Sequence, residues 1–168
     1  MPAIPIPTVQ QIQADLATMP SKRARLLKGL EYLFKSVTKG NGYIVGAENV
    51  SFDVKGWRDL PADQTPVVYL IDGVTLPVRH AGCVREYVWD IEVFGCVKDK
   101  DIWTFESFIS DLEQAIDDNN TLFGEVNKME VENILTDNQL FSQIQENGAQ
   151  LFSMIVKLEF TRRARNPR

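Results

Sequence analysis

The sequence predicts an α+β fold: an antiparallel or mixed sheet of four to six strands, helices packed on one face, and a long hairpin extension. Three patterns carry this. Tyr87, Trp89, Ile91 and Val93 alternate with Asp90 and Glu92, and Phe152, Met154, Val156, Leu158 and Phe160 alternate with Ser153, Lys157 and Glu159. Successive strand side chains point to opposite faces, so each run has one covered face and one wet face, as in an antiparallel or mixed sheet. Between the runs, Phe105, Phe108, Ile109, Leu112, Ala115 and Ile116 recur at helical spacing, as do Leu26, Leu27, Leu30, Leu33, Phe34 and Val37 nearer the start.

A single domain over residues 1–168 is expected, with an arm and short helix at 1–20 and a basic tail at 161–168. Three prolines in the first seven residues favour extended backbone and read as an arm, not a signal peptide. Thr8 and Gln11 form a capping-box pattern for a helix carrying Val9, Ile12 and Leu16, which Met19-Pro20 breaks. Ser21 caps the second helix, and Gly40-Asn41-Gly42 is expected to end it in a left-handed turn. Tyr43–Val45 and Asn49–Val54 read as short strands, and Trp57-Arg58-Asp59-Leu60-Pro61 as a loop. A strand starts at Pro66 and runs through Ile71, Asp72-Gly73 signals a turn, and the aperiodic stretch to Glu86 predicts a long exposed hairpin connection. Strands over Tyr87–Val97, near Val126–Leu135 and over Leu151–Phe160 complete the sheet. The acidic helix Thr104–Asn119, with Asp101 and Thr104 as competing caps, lies between the first two.

Charge is unevenly placed. Of 18 basic side chains four fall in the last seven residues, leaving 14 against 23 acids, a net of −9, over residues 1–161. Residues 101–118 carry six acids and no base. This distribution argues against a duplex-binding protein, which needs a broad basic face, and suits assembly between unlike surfaces. No apolar run approaches the roughly 18 residues of a membrane span.

No catalytic constellation is legible. His80, the only histidine, sits in the aperiodic loop, and Cys83 and Cys96 lie thirteen positions apart without a CxxC, so both read as reduced thiols. Three Cys and His residues fall short of a structural zinc site. Gly40-Asn41-Gly42 follows a helix and lacks a GKS ending, so it is a turn and not a phosphate loop. Asp99-Lys100-Asp101 lacks the remaining ligands of a calcium loop. No cofactor, metal or catalytic residue is assigned, and a non-enzymatic role is expected. Trp57, Arg58, Arg79, His80, Arg85, Arg162, Arg163 and Arg165 are candidates for a subunit or partner interface. Asp111, Glu113 and Asp117 are expected to face a lumen or partner, so that reversing their charge leaves folding intact.

The order of these elements resembles the tail-terminator proteins of long-tailed bacteriophages over about Leu26 to Phe160. The resemblance rests on the helix ending Leu33-Phe34, on Trp57-Arg58-Asp59-Leu60-Pro61 leading to Gln64-Thr65-Pro66-Val67-Val68-Tyr69-Leu70, and on the strand and Phe105–Ile116 helix beyond the hairpin. Leu122-Phe123-Gly124-Glu125-Val126, followed by Val131-Glu132-Asn133-Ile134-Leu135-Thr136-Asp137 and the closing strand, completes it. It implies a virion protein forming a homohexameric ring at the head-proximal end of the tail, with the tail tube protein and a head-completion or connector protein as partners. Genomic DNA would pass through the lumen without sequence-specific binding. It implies no membrane partner. The competing readings are another connector ring such as a stopper, a small soluble enzyme with a carboxylate site, and a nucleic-acid-binding module that uses the arginine tail.

Overall fold

The computed structural model describes residues 7–81, 84–136 and 148–163. Helices α1 (Val9–Thr18) and α2 (Lys22–Lys35) lead into the short strand β1 (Asn49–Ser51). Long strands β2 (Val67–Ala81) and β3 (Val84–Lys98) follow, then helix α3 (Ile102–Asp118), β4 (Lys128–Thr136) and β5 (Ala149–Arg163). The strands form one open mixed sheet in the order β1-β2-β3-β5-β4, in which only the β1–β2 pair is parallel. The protein is therefore α+β, as its alternating strands predict.

Local chemistry explains the element ends. The Thr8 hydroxyl accepts from the Gln11 amide at 3.3 Å while the Gln11 side chain accepts from the Thr8 amide at 2.7 Å, closing the capping box of α1. Ser21 accepts from the Ala24 amide at 3.1 Å and starts α2. That helix ends earlier than expected, at Lys35. The left-handed Gly42 closes a separate 3₁₀ turn over Lys39–Asn41. At the head of α3 Asp101, not Thr104, is the cap, accepting from the Thr104 amide at 2.7 Å.

The main core lies between one face of the sheet and the helices. Leu26, Leu30, Leu33 and Phe34 of α2 and the whole expected stripe of α3 are buried against Trp89, Ile91, Val93, Phe152, Met154, Val156 and Leu158. Phe152 needs Gly95 directly opposite it on β3, since a Cβ at that position would stand 2.0 Å from the ring. Phe105 and Phe108 then meet the Phe152 ring edge-on, with centroids 6.0 and 5.9 Å away.

Helices cover one face, but the other is not uniformly wet. A second apolar cluster of Val67, Tyr69, Phe94, Cys96, Ala149 and Leu151 lies there under Val54, Trp57 and Leu60 of the β1–β2 connection. Lys98 fastens this flap: its buried ammonium donates to the carbonyls of Arg58 and Leu60 at 2.6 and 2.8 Å. Both faces are thus covered near the start of β2, which accounts for the unbroken apolar run Val67–Ile71.

Two expectations fail for definable reasons. Asp72-Gly73 is not a turn. The strand continues through it with a register shift opposite Asp90, and a Cβ at Gly73 would lie 2.0 Å from the Asp90 carbonyl oxygen. Here glycine marks a bulge and close backbone approach. The β2–β3 pairing therefore continues to Ala81 opposite Val84 and is longer and more regular than the sequence suggests. Tyr43–Val45 is not a strand either, because a side chain takes its amides.

Candidate interaction surfaces

That side chain is Asp111. Its carboxylate accepts from the backbone amides of Ile44 (2.9 Å), Val45 (2.7 Å) and Gly46 (3.1 Å), three donors that a sheet ladder would otherwise need. Gly46 is left-handed (φ 80°), and a Cβ there would sit 2.9 Å from Thr38 Cα. Asp111 is only 4% exposed. The expectation that it faces a lumen or partner is corrected: it is a buried anchor of the Ile44–Gly46 segment. Glu113 is half-buried and Asp117 exposed, so these two do face outward. Burial raises the Tyr43 hydroxyl above its ordinary pKa, with the negative charges of Asp118 and Asp111 adding to the effect.

The outward side of α3 forms a coherent surface. Trp103, Glu106, Ser110, Glu113 and Asp117 lie within one stripe opposite the core, and Trp103 is 77% exposed. Beside its start, a groove of about 460 Å³ is lined among others by Ile44, Asp63, Lys100, Asp101, Trp103 and Ser107. Hydrogen bonds from the Thr104 side chain and amide hold Asp101 below the ordinary carboxylate range. Among the described residues no histidine or cysteine lines the groove. Among the described residues no three His, Cys, Asp or Glu side chains are grouped to hold a metal ion, and no helix is long and apolar enough to cross a membrane.

The opposite end of the sheet is a ribbon of β2, β3 and β5 that outruns its neighbours. β4 begins opposite Glu159, so the β5 pairing with β3 continues four residues further, to Arg163 opposite Val84. In this overhang Arg85 pairs in register with Arg162, and His80 with Arg85; Arg79 pairs with Glu86. Arg85 and Arg162 are exposed. Val74, Leu76 and Val78 on β2 are 62%, 58% and 63% exposed. Four of the expected interface residues, Arg79, His80, Arg85 and Arg162, thus converge on one end, with Arg163 at its last register position. Arg165 lies outside the described residues, as does Cys83.

Trp57 and Arg58 do not join that end. They sit on the flap near the other end of β2, where Trp57 packs edge-on to Phe94 (centroids 6.0 Å apart) and the Arg58 guanidinium lies 5.1 Å over the Trp57 ring. Trp57 is half-buried within the chain, so covering the second apolar cluster accounts for its position.

A clasp joins the ribbon to the helical layer. The Arg23 guanidinium donates to both Asp72 carboxylate oxygens at 2.8 Å and to the Thr75 hydroxyl at 2.6 Å, and it lies 4.2 Å over the Trp89 ring. Asp72 also accepts from the Trp89 indole at 2.9 Å. The Leu122–Gly124 turn, left-handed at all three residues, drops Leu122 against Gly29, where an added Cβ would lie 3.1 Å from the Leu122 Cγ. Glu125 then pairs with Lys22 at 2.9 Å. The segment that carries much of the sequence resemblance is thus built into the α2–α3 packing. No protein-family model matches the chain, and no curated protein matches it.

Proposed function

We propose that this chain is a structural subunit that closes into a homohexameric ring and caps the head-proximal end of a bacteriophage tail tube. In that role it stops tube polymerisation and offers a surface for the head connector. The observation that carries the reading is the overhanging ribbon, where Val78, and Val74 and Leu76 leading up to it on β2, are left in solvent. A domain of this size has no folding need for such an extension, and exposed apolar side chains on a projecting element mark a place where another chain packs. Unlike surfaces at its two ends favour heterologous contacts, which close into rings when the rotation permits. The sequence resemblance to tail terminators gives the ring its place in the virion, and acids facing a channel would keep passing DNA from sticking.

The test is native mass spectrometry with negative-stain imaging over a range of concentration and salt, followed by incubation with purified tail tubes. Closed rings with a mass near six times the 19.1 kDa chain, bound at one tube end, are expected. A chain that neither self-associates nor binds tubes overturns the reading.

A further inference from the structure

We propose that the arginine end of the ribbon in one copy docks on the outward face of α3 in the next copy, with Trp103 as the anchor. This rests on the ring reading and names the two surfaces that meet.

Arg85 and Arg162 stand directly opposite each other in adjacent antiparallel strands, a pairing that repels. Both are exposed, and among the described residues neither has a carboxylate within salt-bridge distance. Glu86, the next residue on β3, points to the opposite face of the sheet and leaves the pair uncompensated. A monomer gains nothing from such a pair, whereas an acidic partner would turn the repulsion into a binding contribution.

The chain itself carries the complementary surface. The α3 stripe sets Glu106, Glu113 and Asp117 in line with Trp103, spanning roughly 20 Å at 1.5 Å per residue. Trp103 is the most exposed of the exposed large apolar side chains. Arginine binds an aromatic face and a carboxylate together, as Arg23 does within this molecule on Trp89 and Asp72. A phosphate backbone would satisfy the arginines but leave Trp103 and the helix acids without a role.

The arginine pair cannot reach Trp103 within one copy. α3 begins just past Lys98 with Trp103 in its first turn, while the arginine pair lies near the other end of β3, thirteen residue steps from Lys98 to Arg85. That is roughly 45 Å of strand at about 3.3 Å per residue. The contact is therefore head-to-tail between copies.

Charge reversal tests it. The tip variant is Arg85→Glu with Arg162→Glu, and the helix variant is Glu106→Arg with Glu113→Arg and Asp117→Arg; circular dichroism melts establish that each folds. By sedimentation velocity at low salt, each variant alone is expected to self-associate at least about tenfold more weakly than wild type. An equimolar mixture should recover assembly with alternating copies, because each reversed surface then meets its reversed complement. Wild-type rings that persist in both variants overturn this contact and leave the ring reading standing, whereas a wild-type chain that self-associates neither alone nor on purified tail tubes overturns both. Loss of single-stranded DNA binding in the tip variant, with rings unchanged, would assign the arginines to a phosphate backbone instead. A Trp103→Ala variant keeps all charges and should weaken assembly as well; unchanged assembly overturns the anchor.

Discussion

Replacing Asp111 with alanine removes the acceptor for three backbone amides at once. The Gly46 amide is buried and those of Ile44 and Val45 are partly so. A buried donor left without a partner costs about 1–3 kcal/mol, and the two partly solvated donors cost about 1 kcal/mol each, giving about 3–5 kcal/mol in total. At about 2–4 °C per kcal/mol for a chain of this size, the thermal midpoint should fall by about 6–20 °C. Asp111→Asn should fall between wild type and alanine, since its remaining oxygen serves only part of the fork. Glu113→Ala and Asp117→Ala, on the outward face, should stay within about 0.5 kcal/mol of wild type. Circular dichroism melts and urea titrations of the four variants decide the matter. If Asp111→Ala melts with Glu113→Ala, the carboxylate does not anchor the loop and the reasoning fails.

Gly95→Ala forces the Phe152 ring from its place against Phe105 and Phe108, and urea denaturation should show a loss of about 1–3 kcal/mol, the usual cost of overpacking a core. Asp72→Ala should cost more than Arg23→Ala by about 1–2 kcal/mol, because it alone orphans the buried Trp89 indole; equal midpoints would show that the indole bond contributes nothing. Burial pushes the Glu31 carboxyl up, but hydrogen bonds from Lys28 and Lys35 outweigh it and hold the pKa below its ordinary 4.5. Its contribution to stability is complete above pH 4.5 and is lost as pH falls through the lowered value. Glu31→Gln should therefore flatten the acid limb of a stability–pH curve below pH 4.5 and not the neutral region.

Most of the framework is legible in the sequence because period and capping are local. The stripe of α3 and the alternation of β3 and β5 fix which side chains face the core, and Thr8, Ser21 and Asp101 mark helix starts through oxygens a few atoms from the amides they accept. What escapes is decided by distant partners. On a helical wheel Asp111 and Glu113 lie about 40° outside opposite borders of the apolar stripe, and nothing in α3 says which flank another segment will cover. The Ile44–Gly46 loop covers one, and in doing so gives up the strand expected there. Gly73 reads as a turn residue until Asp90 is brought against it, and the buried role of Lys98 exists only once the flap returns over the sheet. Of the candidate surface, the arginines at the ends of β3 and β5 are visible as residues but not as neighbours, since their pairing depends on strand register. Trp103 lies opposite the apolar stripe on the helical wheel, so its exposure is legible in the period of α3, but not what it meets.

The bulge at Gly73 and the Arg23 clasp lie just inside the point where the ribbon outruns the body, at Leu76 level with the first residue pair of β4 and β5, five residue steps before Ala81. At about 3.3 Å per step this makes a lever of roughly 17 Å, so a change of about 10° at the base carries the far end through about 3 Å. Whatever grips the arginine end is aimed from the base of that lever by a guanidinium on α2 that never touches it. In the proposed ring the angle at which successive copies meet would in this sense be set at Arg23 and Asp72, so substitutions there would change the curvature of that assembly while leaving both of its contact surfaces intact.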